Sequence, residues 1–182
     1  MADQTAEQAP RVKARIAGIF YLLTIVTSVL ALLVSGSLRS TMLLASTGCY
    51  VVVTVLFYGL FRPVNRNVSA VAAIFSLLGC TLSTLDLFHP GLFGINPLMF
   101  FGCYCLTLGY LIYWSTFMPR ILGALMAVGG LGWLTFAWPA LSDRLLPYNM
   151  APGVLAESAL TLWLLAAGVN AQRWNERARA AA

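Results

Sequence analysis

Residues 16–34 read IAGIFYLLTIVTSVLALLV, nineteen positions with no charge, bounded by Arg15 and Ser35. A helix rises 1.5 Å per residue, so this run reaches about 28 Å, close to the ~30 Å hydrocarbon thickness of a bilayer. The run is longer than the apolar core of a cleavable signal peptide, and Ser35-Gly36-Ser37 after it is a poor cleavage site. It reads as a retained first membrane helix.

The same pattern returns five times, over residues 41–61, 68–88, 95–114, 120–141 and 151–171. The connections are short and carry breakers: Ser35-Gly36-Ser37, Pro63 with Asn65 and Asn67, Pro90-Gly91 with Pro97, Pro119, and Pro147 with Pro152. Short connections make successive helices antiparallel neighbours. The expected fold is all-α, a six-transmembrane-helix bundle over residues 16–171, flanked by cytoplasmic segments 1–15 and 172–182. Composition agrees. Of 182 residues 60% are hydrophobic and 9% charged, and the mean hydropathy is +0.83. A soluble domain carries about 25% charged residues, so lipid must be the solvent for most of this chain.

Charge sets the orientation. Arg11, Lys13, Arg15, Arg62, Arg66, Arg120, Arg173, Arg177 and Arg179 fall on the side of the termini, and Arg39 and Arg144 on the other. Lys and Arg gather in cytoplasmic loops, so both termini are expected to be cytoplasmic. Tyr58, Phe61, Tyr113, Trp114 and Trp174 would form the inner aromatic belt, and Phe88, Phe93, Trp138 and Tyr148 the outer one. The net charge of +5 sits in short clusters between apolar runs, where it meets lipid head groups; nucleic acid is excluded as a partner.

An ionisable side chain inside a membrane helix costs roughly 2.5–3.5 kcal/mol at mid-bilayer on insertion scales, so it marks function by default. Asp86 and Glu157 qualify, both toward the outer half. Ala72, Ser76, Gly79, Ser83 and Asp86 recur at spacings of four and three, a helical stripe that should face the bundle, whereas Val71, Phe75, Leu78, Leu82 and Leu85 form a bulky stripe. Gly153, Glu157, Thr161 and Gly168 share a face of the sixth span. Asn96, Phe100, Cys103, Thr107 and Tyr110 share one of the fourth. The candidate ligand-binding set is therefore Asp86, His89, Asn96, Tyr104 and Glu157, with Phe100 and Trp163 as further wall residues. The plainer alternative pairs Glu157 with Arg39 or Arg144, or leaves it protonated against a neighbouring helix, with Asp86 solvated by head groups. Residues 88–99 carry no charge other than through His89 and read as an apolar lid over the outer end.

Phe100-Phe-Gly-Cys-Tyr-Cys-Leu-Thr-Leu-Gly-Tyr-Leu-Ile-Tyr113 with Pro119-Arg-Ile-Leu-Gly123, Arg15-Ile-Ala-Gly-Ile-Phe-Tyr-Leu and Leu60-Phe-Arg-Pro-Val-Asn65 together resemble a bacterial family of multi-helix membrane proteins catalogued as a domain of unknown function. The likeness covers the chain to about Gly132 and weakens afterwards. It implies six helices in a bacterial cytoplasmic membrane and no activity. Members often have longer outer connections and a His in place of Tyr104.

Cys49, Cys80, Cys103 and Cys105 lie in apolar runs without C-x-x-C spacing and read as packing residues. No P-loop, dinucleotide fingerprint, H-E-x-x-H or G-x-S-x-G is present, so no cofactor or metal is expected. Three functions remain, in this order: binding or transport of a small lipophilic or amphipathic molecule, an accessory or scaffold subunit, and a lipid-modifying enzyme using Asp86 and Glu157 as acid and base. The expected partners are membrane lipids, such a ligand, and a second copy or another membrane protein.

Overall fold

The computed structural model describes residues 2–181. Residues 1 and 182, the tips of the expected cytoplasmic segments, lie outside the described residues. The chain is helical throughout: α1 (Ala2–Leu33), α2 (Gly36–Phe61), α3 (Arg66–Phe88), α4 (Leu98–Trp114), α5 (Arg120–Leu134) with a 3-10 turn (Thr135–Ala137), α6 (Pro139–Leu145), α7 (Ala151–Ala166) and α8 (Ala171–Ala180). Ala9–Leu33, Gly36–Phe61, Arg66–Phe88 and Arg120–Ala137 are each long and apolar enough to cross a membrane. The apolar α4 is shorter, and α7 passes the same test only together with α8, from which it is bent by 102°.

Local chemistry explains where the helices depart from the six apolar runs. The first polar segment is not separate: good helix formers such as Ala, Glu and Gln carry α1 back to Ala2. The fourth helix begins at Leu98 rather than residue 95, where the Asn96 side chain accepts from the Leu98 amide. The fifth ends early because Trp138 precedes Pro139, and a residue before proline avoids the helical region; Trp138 is extended and α6 starts afresh. The last run breaks at Gly168, whose φ of +66° only glycine adopts cheaply. Asn170 then caps α8 through the Arg173 amide.

Six helices form a closed ring. Each packs on its neighbour in chain order, with α5 meeting α7 and α7 returning to α1. Named contacts make every step antiparallel: Thr24 with Ser46 and Tyr21 with Phe57 for α1 and α2, Thr54 with Ser76 and Tyr58 with Ser69 for α2 and α3. Gly18 against Leu164 and Arg11 against Val169 close the ring. Below, the end holding both termini is the near end, and the opposite one the far end.

The closest step is α4 on α5. A Cβ on Gly109 would fall 2.7 Å from the Gly123 carbonyl oxygen, and one on Gly130 2.8 Å from that of Gly102. The pairs are seven residues apart on each helix, so two helical turns of backbone touch directly. This packing fixes the rotation of α4 and overturns one expected face. Gly102, Tyr104, Cys105, Leu108 and Leu111 are buried, whereas Asn96 and Tyr110 are exposed and Phe100, Cys103 and Thr107 only half-buried. On α3 the small stripe does turn inward: Ala72, Ser76 and Gly79 are buried, and Val71 and Leu78 are exposed.

The near half of the ring is filled with aromatic rings. Tyr21 stands edge-on to Tyr50 and Phe57, and Tyr50 to Phe101 and Tyr104. Phe61 is buried against Phe117 instead of joining an aromatic belt, because the α8 turn covers it. Around the outside, Val55, Ile74, Ile121, Val128, Leu155 and Leu162 are exposed on several faces. Exposed apolar surface on that scale is what lipid-facing helices present.

Candidate functional site

Where the near half is solid, the far half is hollow. A cavity of about 490 Å³ opens inside the ring and is lined by six helices. Thr24 and Ser28 come from α1; Arg39, Leu43, Ser46, Thr47 and Tyr50 from α2; Cys80, Ser83, Thr84, Asp86 and Leu87 from α3. Leu44 of α2, Pro90 of the turn after α3, Leu98 and Phe101 of α4, Trp133 of α5 and Glu157 of α7 complete the wall. The ring closes on aromatics below, so the hollow has a floor.

Hydroxyl groups in the wall are mostly occupied by local bonds. Thr24 Oγ1 donates to the Phe20 carbonyl at 3.0 Å, Thr47 Oγ1 to that of Leu43 at 3.0 Å, and Thr84 Oγ1 to that of Cys80 at 2.9 Å. Ser28 and Ser46 share a hydrogen bond of 2.7 Å that ties α1 to α2. Such back-bonding lets a helix carry polar side chains in lipid without stranding them.

Glu157 is held differently. The Trp133 indole Nε1 donates to Oε1 at 3.0 Å, and Cys105 Sγ donates to the same oxygen at 3.8 Å. The indole reaches that position because Gly153, one turn before Glu157, leaves the room in which it lies; a Cβ there would overlap the Trp133 ring. Gly129 allows a close approach one turn before Trp133 in α5, where its Cβ would fall 3.1 Å from the Gly153 Cα. Oε2 takes no hydrogen bond from the described residues and is not sealed off, so it faces the cavity.

Beneath it lie three phenols. The hydroxyls of Tyr21, Tyr50 and Tyr104 are buried without a partner among the described residues. Tyr50 lines the cavity, and Tyr104, with its ring 5.7 Å from that of Tyr50, lines a void of about 10 Å³ on the near side together with Thr54 and Ser69. That void has room for roughly one water.

Of the five residues singled out in the sequence, Asp86 and Glu157 line one cavity. Asp86 lies at its exposed rim, where Oδ1 also accepts from the Gly91 amide at 2.9 Å and so secures the α3–α4 turn. The other three lie elsewhere. Tyr104 is under the floor, Asn96 caps α4, and His89 is exposed past the end of α3. Phe100 and Trp163 are not among the lining residues, since both point away from the ring axis, and Phe101 takes the place expected of Phe100. Residues 88–96 are exposed in the turn at the rim, and of them only Pro90 lines the cavity. Sequence reasoning took Arg39 only as a charge partner for Glu157 and passed over Tyr50, Cys105 and Trp133 as site residues. A signal was present for two of them: Arg39, Leu43, Ser46 or Thr47, and Tyr50 recur at helical spacing along α2, as Thr24 and Ser28 do on α1.

Chemically, the cavity offers one fixed carboxyl with a free oxygen, aromatic rings around it, and opposite charges at its mouth. Comparison with known proteins adds kinship without an activity. Residues 81–168 match the family described as "Domain of unknown function (DUF4386)". The likeness thus runs through α7, beyond the Gly132 at which it was expected to fade, and does not take in residues 66–80 of α3 or the helices before it. An uncharacterized protein of Archaeoglobus fulgidus is 33% identical over 90 residues, 46% of this chain and 56% of that relative's length. No solved structure matches. With its apolar helices, the chain is an integral membrane protein that crosses the bilayer several times.

Proposed function

We propose that this is a six-span protein of a bacterial cytoplasmic membrane, with both termini cytoplasmic, that binds a small lipophilic or amphipathic molecule in the far-end cavity and carries it or presents it to a partner. The observation that carries the reading is the cavity itself. Its 490 Å³ falls in the ~300–1,000 Å³ range of small-molecule sites, and its lining combines apolar side chains with a few convergent polar groups. The distribution of Lys and Arg supports an outer position for the cavity mouth. The ring of six antiparallel helices supports six crossings, with α4 and α7 as the two short ones.

Native mass spectrometry after mild extraction tests the binding reading. The expected result is a bound lipid or metabolite at one per chain, with occupancy reduced in Glu157→Gln. A chain that is empty and takes up no added amphipath counts against it.

An accessory or scaffold role is the second reading, favoured by the exposed apolar side chains beyond the rim, Phe88, Leu92, Phe93, Trp138, Leu146 and Tyr148. A stoichiometric membrane-protein partner in the purified material would favour it. A lipid-modifying enzyme has less support, because Asp86 is already engaged by the Gly91 amide.

A further inference from the structure

We infer that the molecule taken into the cavity carries a positively charged nitrogen, an ammonium group seated against Glu157 Oε2. The inference rests on the binding reading above and names its chemical class.

Three observations converge. Oε1 of Glu157 is already satisfied by the Trp133 indole and the Cys105 thiol, so the carboxyl is anchored and its remaining oxygen is directed into the cavity as an acceptor. No hydrogen bond reaches that oxygen from the described residues, the nearby Tyr21 hydroxyl included, so an entering donor finds it free. Tyr50, Phe101 and Trp133 line the same wall, and aromatic rings beside a carboxylate are the usual surroundings of a bound ammonium.

Charge order along the cavity argues the same way. Arg39 and Asp86 are both exposed at the rim, where their opposite charges offset one another. The deep wall holds Glu157 and no Lys or Arg. An anionic head group would therefore meet its only cation at the mouth and a carboxyl below, whereas a cation meets a carboxyl at both depths.

The test uses the full chain in dodecyl maltoside with three eight-carbon probes: octylammonium, octanol and octanoate. Binding is read as a saturable one-to-one adduct by native mass spectrometry, with the thermal shift as a second measure. The expected result is that octylammonium binds about tenfold or more tightly than octanol, the scale of one contact to a charged group. In Glu157→Gln that preference should be lost. Equal binding of all three probes, or preference for octanoate, overturns the ammonium assignment and leaves the cavity a site for amphipaths. No saturable adduct with any probe overturns both. If Glu157→Gln does not fold, the ranking of the three probes on the wild-type chain decides the question by itself.

Discussion

Glu157 and Trp133 illustrate how much one side chain can depend on another 24 positions away. The carboxyl was legible in the sequence, because a lone acid in an apolar run stands out. Its partner was not: an indole that lies over Gly153 to reach Oε1 leaves no periodic trace. Trp133→Phe keeps the ring on the glycine and removes the N–H. It should cost about 1–2 kcal/mol in resistance to unfolding by sodium dodecyl sulfate, since a hydrogen bond to a charged acceptor is worth ~1.5–3 in water and less in lipid. Tyr104→Phe should behave in the opposite way. Its buried hydroxyl is unpartnered, and removing a stranded polar group is expected to stabilise by about 1 kcal/mol in the same assay. A clear loss of stability in that variant would show that the phenol has found a partner.

At the level of helices, reading succeeded where one face alone carried small residues and failed where two faces competed. The stripe from Ala72 to Gly79 on α3 has no rival and turns inward as its spacing predicts. On α4, the polar stripe through Cys103 and Thr107 competes with Gly102 and Gly109, and the glycines decide, because direct backbone contact with α5 permits only one rotation. Spacing of seven at 102, 109, 123 and 130 was visible in the sequence, but its meaning depends on both helices together. Gly109→Ala and Gly123→Ala should each destabilise by about 1–3 kcal/mol, the usual cost of forcing a methyl into a filled contact. Gly48→Ala and Gly59→Ala, with nothing within 4 Å of the added carbon, should be neutral or gain up to about 1 kcal/mol in helix propensity. Chemical unfolding of the four variants side by side checks the contrast.

For the molecule as a whole, composition and apolar run length were enough to announce a helical membrane protein, since both follow from the solvent alone. The closed ring and its hollow far half were not legible, because they depend on α7 returning to α1 and on side chains from six helices meeting at one depth. The proposed topology is open to direct measurement. In a background with all four cysteines replaced, Ser37→Cys and Ser35→Cys should react with a membrane-impermeant maleimide added outside intact cells. Glu176→Cys should react only after the membrane is permeabilised. Reversal of that pattern would turn the cavity mouth to the cytoplasm.

The glycine-to-glycine contact between α4 and α5 also bears on how this chain leaves a membrane. Where backbones touch, there are no long side chains to slide past one another one at a time, and separation must be abrupt. Drawn from the carboxyl end by a cantilever, the polypeptide should first yield α7, then surrender α5 and α4 together in a single force peak, and release the earlier helices only afterwards.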